Sequence, residues 1–213
     1  MESIFKHIKL TVSSILSLIK ILFRSNLNIK KHSKSGSTLY ILGNGPSFKK
    51  DLIKYEHILK TKKLMCVNAF PITEEFQELK PSYFIITSPG FYNDKAIDYN
   101  VNVRKKIITT LVEKTNWPLV FFLPSGAIKN KGFTAKISVN QNIKIHYYNK
   151  TSIEGYSKFK HLIFTLGLGS PRPHNVMTSA ILQAINFGCK YIYLLGADHS
   201  WLPQITVNEK NQV

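Results

Sequence analysis

Apolar residues at positions 4, 5, 8, 12, 15, 16, 19, 22 and 23 recur every three or four residues, a spacing that predicts one amphipathic helix over residues 1–25. From Thr38 the rhythm changes. Short, mostly apolar runs appear at 38–42 (TLYIL), 63–67 (KLMCV), 82–87 (SYFIIT), 119–123 (LVFFL), 143–148 (IKIHYY) and 191–195 (YIYLL). Helix-like stretches separate them at 48–60, 72–79, 94–115, 155–165 and 175–187. A strand with no polar face is buried on both sides, so this alternation predicts an α/β fold with a mostly parallel sheet and helices on both faces. The chain divides into a helix over 1–29, a basic linker over 30–37 (KKHSKSGS) and a domain over 38–213.

Composition adds a sign to this picture. The 213 residues suit one domain with a real core. Against 12 Asp+Glu stand 29 Lys+Arg, a net charge of +17 that favours nucleotide phosphates, other polyanions or an anionic membrane surface. The cations are spread along the chain without interleaved aromatic residues, so nucleic acid is not expected as a partner. Lys6, Lys9, Lys20 and Arg24 surround the stripe of the first helix, and its uncharged run, residues 10–19, is too short to span a bilayer. A helix lying in the membrane interface on anionic lipid fits both features. The competing reading packs the stripe on the protein's own domain or on a second copy. Cys66 and Cys189 form no CxxC pair and read as buried free thiols of a reducing compartment. No small-residue cleavage site follows the apolar N-terminus, so the expected location is cytoplasmic, peripheral on the inner face of the membrane. The polar tail 203–213 stops without a closing strand or helix, as in a fragment cut before its C-terminal catalytic residues.

In an open parallel sheet, ligands bind beyond the carboxyl ends of the strands, so the residues just past each strand are the chemical candidates. After the first strand come Gly43, Asn44, Gly45, Pro46 and Ser47. Glycines let backbone amides approach a phosphate, and Ser47 is a candidate side-chain cap for the helix that follows. Asn68 follows the second strand, and Ser88-Pro89-Gly90 the third. Gly196-Ala197-Asp198-His199 follows the last. Asp198 and His199 are the acid–base candidates, and Asp198 could also hold Mg²⁺ or ribose hydroxyls. The helix after Pro171-Arg172-Pro173 carries Asn175, Thr178 and Ser179 in its first turn, a candidate diphosphate receptor or a simple Asn175 cap.

With these residues the chain resembles the bacterial family-42 sialyltransferases and the related MptE-like (6-hydroxymethylpterin diphosphokinase-like) proteins. The resemblance rests on GNGPS after the first strand, the Asn in CVNAF, the Pro-Gly turn, and the helix leading into GCKYIYLLGADHS. It implies a Rossmann-like nucleotide-binding domain in which Asn44 and Asn68 contact the donor nucleotide. Ser88 stands where the sialyltransferases have Asn, Arg172 is displaced by about one position from their donor-binding Arg, and their catalytic His lies beyond this chain. The sialyltransferase branch implies a CMP-sugar donor, a glycan or glycolipid acceptor of surface-polysaccharide or lipopolysaccharide assembly, and no cofactor. The MptE-like branch implies a Mg²⁺/ATP pyrophosphokinase in which Asp198 serves the metal. A nucleotide-binding remnant without catalysis is the third expectation.

Overall fold

In the computed structural model, residues 2–29, 36–93 and 101–198 are described. Six strands form one sheet: β1 (Thr38–Leu42), β2 (Leu64–Val67), β3 (Tyr83–Ile85), β4 (Leu119–Pro124), β5 (Ile143–Tyr148) and β6 (Tyr191–Leu195). Every neighbouring pair is parallel, in the order β5-β4-β3-β2-β1-β6. The chain therefore steps outward from β1 to β5 and then crosses back to the far side of β1. Strand order reverses between β1 and β6, the place where a parallel sheet opens a crevice at its carboxyl edge. Leu42 pairs with Leu195 on one side and Cys66 on the other, so these strands end flush.

Parallel pairing requires crossovers, and they are α2 (Ser47–Leu59), α3 (Glu75–Leu79), α4 (Val101–Lys114), α5 (Lys131–Ser138), α6 (Ser157–Thr165) and α7 (Val176–Asn186). This is the α/β, Rossmann-like architecture that the pattern predicts. Three details differ. The expected helix over 72–79 is a 3-10 turn at Phe70–Ile72, with Pro71 inside it, followed by the short α3. Of the expected helix over 94–115, α4 begins at Val101, and 94–100 lie outside the described residues. The sequence reading misses α5, because KGFTAKIS buries only Phe133 and Ile137, too few positions to show a period.

The sheet separates two cores. On one side Leu42, Leu64, Cys66, Phe84 and Phe121 pack against Phe48 of α2, Phe76 of α3, Leu111 of α4 and Phe133 of α5. On the other, Leu39, Ile41, Met65, Ile85 and Phe122 meet α7 through Met177, Ala180, Ala184 and Phe187. Ala180 and Ala184 are wholly buried, and their small side chains let the helix backbone lie close to the strands. The edge strand β6 departs from the all-buried expectation: Tyr191 and Tyr193 are about half exposed, and Tyr193 stacks on Tyr40 at 4.9 Å.

The first helix, α1 (Glu2–Arg24), docks on the segment 149–156 through its hydroxyl residues. Ser17 is 1% exposed; its Oγ donates to the Glu154 carbonyl (3.1 Å) and accepts from the Glu154 N–H (2.8 Å). Ser14 Oγ accepts from the Tyr156 N–H at 3.2 Å, and Asn149 Oδ1 accepts from the Asn26 N–H at 2.9 Å. Gly155, at φ +113°, allows this approach, since a Cβ there would stand 2.8 Å from the Ser14 nitrogen. Ile21 is the only fully buried apolar side chain of α1 among the described residues, packed with Ile153 and Ile163. The stripe itself, including Phe5, Ile8, Val12, Ile19 and Phe23, faces away from the domain. The helix is thus docked, by its polar side rather than its apolar one. Among the described residues no helix is long and apolar enough to cross a membrane.

Candidate active site at the carboxyl edge of the sheet

At the β1/β6 reversal the two strand ends interlock by backbone. The Gly43 N–H donates to the Leu195 carbonyl (2.8 Å) and the Gly45 N–H to the Gly196 carbonyl (2.9 Å). A Cβ on Gly43 would meet the Gly196 carbonyl oxygen and, at 2.9 Å, Met177 Cε. Gly196 sits at φ +62°, where side chains are disfavoured, and a Cβ there would lie 2.7 Å from Phe48 Cβ and 2.8 Å from the Gly43 oxygen. The two glycines of GNGPS are therefore required by the close passage of the β6 loop.

The same passage corrects the expected role of Ser47 as a side-chain cap. The helix α2 starts at Ser47 itself, behind Pro46, which has no side-chain cap bond to offer. The open N–H of Ser47 is met from 151 residues away, by Asp198 Oδ2 at 3.0 Å. Hydrogen bonds from the Ser47 side chain and backbone, with a smaller effect of the Lys50 charge, hold the exposed Asp198 carboxyl below its ordinary value. Asp198 is thus an ionised clamp on the first turn of α2.

The remaining candidates stand around this edge at their own strand ends. Asn44 is exposed at the tip of the β1–α2 turn. Asn68 has φ +51°, the left-handed conformation that Asn tolerates better than most residues. Ser88 Oγ accepts from the Gly90 N–H (3.2 Å) and caps the 3-10 turn Pro89–Phe91. Asn175 caps α7, its Oδ1 accepting from the Thr178 N–H (2.8 Å) and from Thr178 Oγ1 (3.0 Å). Ser179 is 1% exposed, so its hydroxyl is enclosed. His199 lies outside the described residues. Cys66 is wholly buried and burial pushes its thiol up, whereas Cys189 is half-buried. Among the described residues no group of three His, Cys, Asp or Glu side chains could hold a metal.

Two open clefts lie along this edge. One, of about 670 Å³, sits at the ends of β1 and β2 over Gly43, Asn44, Gly45, Phe70 and Thr73, with Lys49 and Glu74 in its lining. Phe48 and Phe70, in edge-to-face contact at 5.3 Å, give it an aromatic floor. The other, of about 530 Å³, sits at the ends of β3, β4 and β5. Lys20, Arg24, Lys150 and Arg172 line it, with Glu154 as the one acidic side chain among the described residues. Lys150 Nζ donates to the Thr87 carbonyl at 3.0 Å, which ties it to the sheet edge. Beside it Tyr148, buried and with its hydroxyl pushed well up by that burial, donates to the Ile86 carbonyl at 2.7 Å and fixes the end of β5 against β3. Of this second cleft, sequence reasoning reaches only Arg172, beside the expected diphosphate receptor at the start of α7. The strand-end rule applied to β5, which runs into Asn149-Lys150-Thr151-Ser152, points to Lys150; nothing local points to Lys20 and Arg24.

In comparison with known proteins, the chain matches no family model and no curated protein. Among solved structures it is similar to the MAf glycosyltransferase from Magnetospirillum magneticum AMB-1, with a TM-score of 0.50 and 13% identity over 82% of this chain. The chain spans 24% of the length of that structure, and at this identity the likeness is one of fold.

Proposed function

We propose that the chain is the nucleotide-binding domain of a glycosyltransferase that takes a nucleotide-activated sugar, a CMP-sugar in its sialyltransferase-like form, and passes the sugar to a glycan or glycolipid acceptor. The observation that carries this reading is the pair of clefts on one carboxyl edge, flanking the β3 end, in a fold shared with a domain of a glycosyltransferase. Group transfer needs two substrates side by side, and a parallel sheet presents both at this edge. The cleft over Gly43, Asn44 and Phe70 takes the nucleotide, with Asn44 and Asn68 as base or ribose partners. Lys49, in the lining of that cleft, faces the leaving phosphate, where positive charge stabilises the developing anion. Asp198 orients the turn; a carboxylate held low is a weak base, so the proton of the acceptor hydroxyl falls to His199. The protein works on the inner face of the membrane, peripherally, through residues 1–25.

Isothermal titration with CMP, UMP and ATP tests this. CMP binding is expected, weakened about tenfold by Asn44→Ala through loss of one hydrogen bond to the nucleotide. Tight ATP binding with none of CMP would overturn the sialyltransferase-like version in favour of a Mg²⁺/ATP pyrophosphokinase. That alternative needs Asp198 for a metal, and here Ser47 engages the same carboxylate.

A further inference from the structure

The cationic cleft and the outward face of α1 meet at one rim. A third, shallower hollow contains Phe23, Arg24, Ser125, Gly126 and Lys129, and so shares Arg24, Ser125 and Gly126 with the cleft. Phe23 is 86% exposed and is the C-terminal end of a continuous apolar face that runs back through Ile19, Leu16, Val12 and Ile8 to Phe5. The cations of α1 are not scattered around this face. Lys6, Lys9, Lys20 and Arg24 follow one another at steps of 3, 11 and 4 residues, all on one flank between the exposed apolar side and the docked side. The opposite flank carries His7 and Thr11 and no Lys or Arg. The last two cations of that flank, Lys20 and Arg24, line the cleft; Lys6 and Lys9 do not.

We propose that this cleft seats the phosphate or diphosphate headgroup of a membrane lipid while α1 lies with its apolar face in the same lipid surface. Several features require an anion that arrives from the membrane. A surface this apolar and this long needs cover, and anionic lipid matches both the stripe and the one-sided charge. Long Lys and Arg side chains at the flank of an interfacial helix reach toward headgroup phosphates. Here two of them reach a cleft whose far wall already holds Lys150 and Arg172. A headgroup entering past Phe23 and Arg24 would come between the α1 pair and the sheet pair and would be held by charge from both sides. The lipid's identity as the sugar acceptor rests on the transferase reading; its binding does not.

The test is flotation of the full chain with three vesicles: phosphatidylcholine alone, phosphatidylcholine with phosphatidylglycerol, and phosphatidylcholine with a polyprenyl diphosphate at matched surface charge. Binding to the diphosphate vesicle is expected to exceed the matched phosphatidylglycerol vesicle by about tenfold, and Lys20→Gln with Arg24→Gln to abolish that excess. Lys6→Gln with Lys9→Gln, the same charge change roughly 16 Å or more up the helix, is expected to lower binding to both anionic vesicles alike and to leave the excess in place. If the two double variants behave identically, diffuse charge explains the binding and the cleft has no role. If inorganic pyrophosphate binds the cleft while no vesicle floats the protein, the anion is a soluble one and the proposal fails. If Ile8→Ser with Ile19→Ser converts a dimer to a monomer with no flotation in either form, a second copy covers the stripe and the proposal fails. Circular dichroism confirms that each variant folds. The CMP titration is run on the same samples: loss of CMP binding with retained headgroup binding sinks the transferase reading alone, and the reverse sinks this one alone.

Discussion

The β1/β6 junction and the seat of α1 both join parts of the chain well over 100 residues apart, and they are built in opposite ways. At the junction, contact is backbone on backbone: Gly43, Gly45 and Gly196 leave no room for a methyl group, and Met177 and Phe48 close the gap from either face of the sheet. Under α1, contact is a row of hydroxyls: Ser14 and Ser17 meet the backbone of Tyr156 and Glu154, and Ser25 the Thr151 hydroxyl, with Ile21 as the one buried apolar anchor among the described residues. The first arrangement cannot open without taking the sheet apart. The second can open locally, because little apolar surface is lost when it does. A ligand edge needs the rigidity of the one, and a helix that meets a deformable lipid surface tolerates the compliance of the other.

The sharpest way to break this contrast is to put methyl groups into the junction. Gly196→Ala adds both a positive-φ penalty and a clash with Phe48 and Gly43, and is expected to destabilise by about 2–5 kcal/mol in urea unfolding. A loss below about 1 kcal/mol would mean that the strand ends separate easily and that the junction is no more rigid than the seat of α1. The next effect belongs to α1. Ser17→Ala leaves both the N–H and the carbonyl of Glu154 without their buried partner, a cost of about 1–3 kcal/mol if the helix stays in place. The helix is instead expected to lift: amide exchange should accelerate across residues 2–24 while the strands keep their protection. Uniform acceleration across the sheet would show α1 to be part of one cooperative unit.

These two regions also explain what could be read before the structure. The strands were legible because five of the six apolar runs end abruptly in Gly, Asn or Ser and the fourth in Pro124, and the strand-end rule then located Asn44, Asn68, Ser88 and Asp198 on one edge. Helix α1 was legible as a helix, but its docking was not. A stripe such as that of α1 states which side is apolar, and it does not state which side the domain takes; the hydroxyls of Ser14 and Ser17 look like ordinary helix positions until Gly155 is seen beneath them. The cationic cleft was hidden for the same reason, since Lys20 and Arg24 join Lys150 only through that docking. For the glycines of GNGPS, sequence shows their freedom and hides what lies against them, the Gly196 backbone. Asp198 had a readable clue: Pro46 at the start of α2 offers no side-chain acceptor, so the orphan N–H of Ser47 needs one from elsewhere.

The smallest effect tests whether that clamp belongs to the rigid half of the comparison. The folded state holds the Asp198 carboxyl below its ordinary value, while the unfolded chain titrates near ~3.9. The unfolded chain therefore takes up the proton first as pH falls. The contribution of the carboxylate to stability is complete above the unfolded value and is lost as pH drops through the folded one. Asp198→Asn keeps an acceptor for the Ser47 N–H and removes only the charge. Thermal unfolding of the two proteins between pH 7 and pH 2.5 should show a small advantage for the unsubstituted chain that is constant above about pH 5, starts to shrink near the unfolded value of ~3.9, and is lost as pH falls on through the lower folded value and the carboxylate becomes protonated. An advantage unchanged at low pH would have to come from shape rather than charge. No advantage at pH 7 would mean that the charge adds nothing to the bond with the Ser47 N–H, and that a neutral acceptor closes the first turn of α2 as well as the carboxylate does.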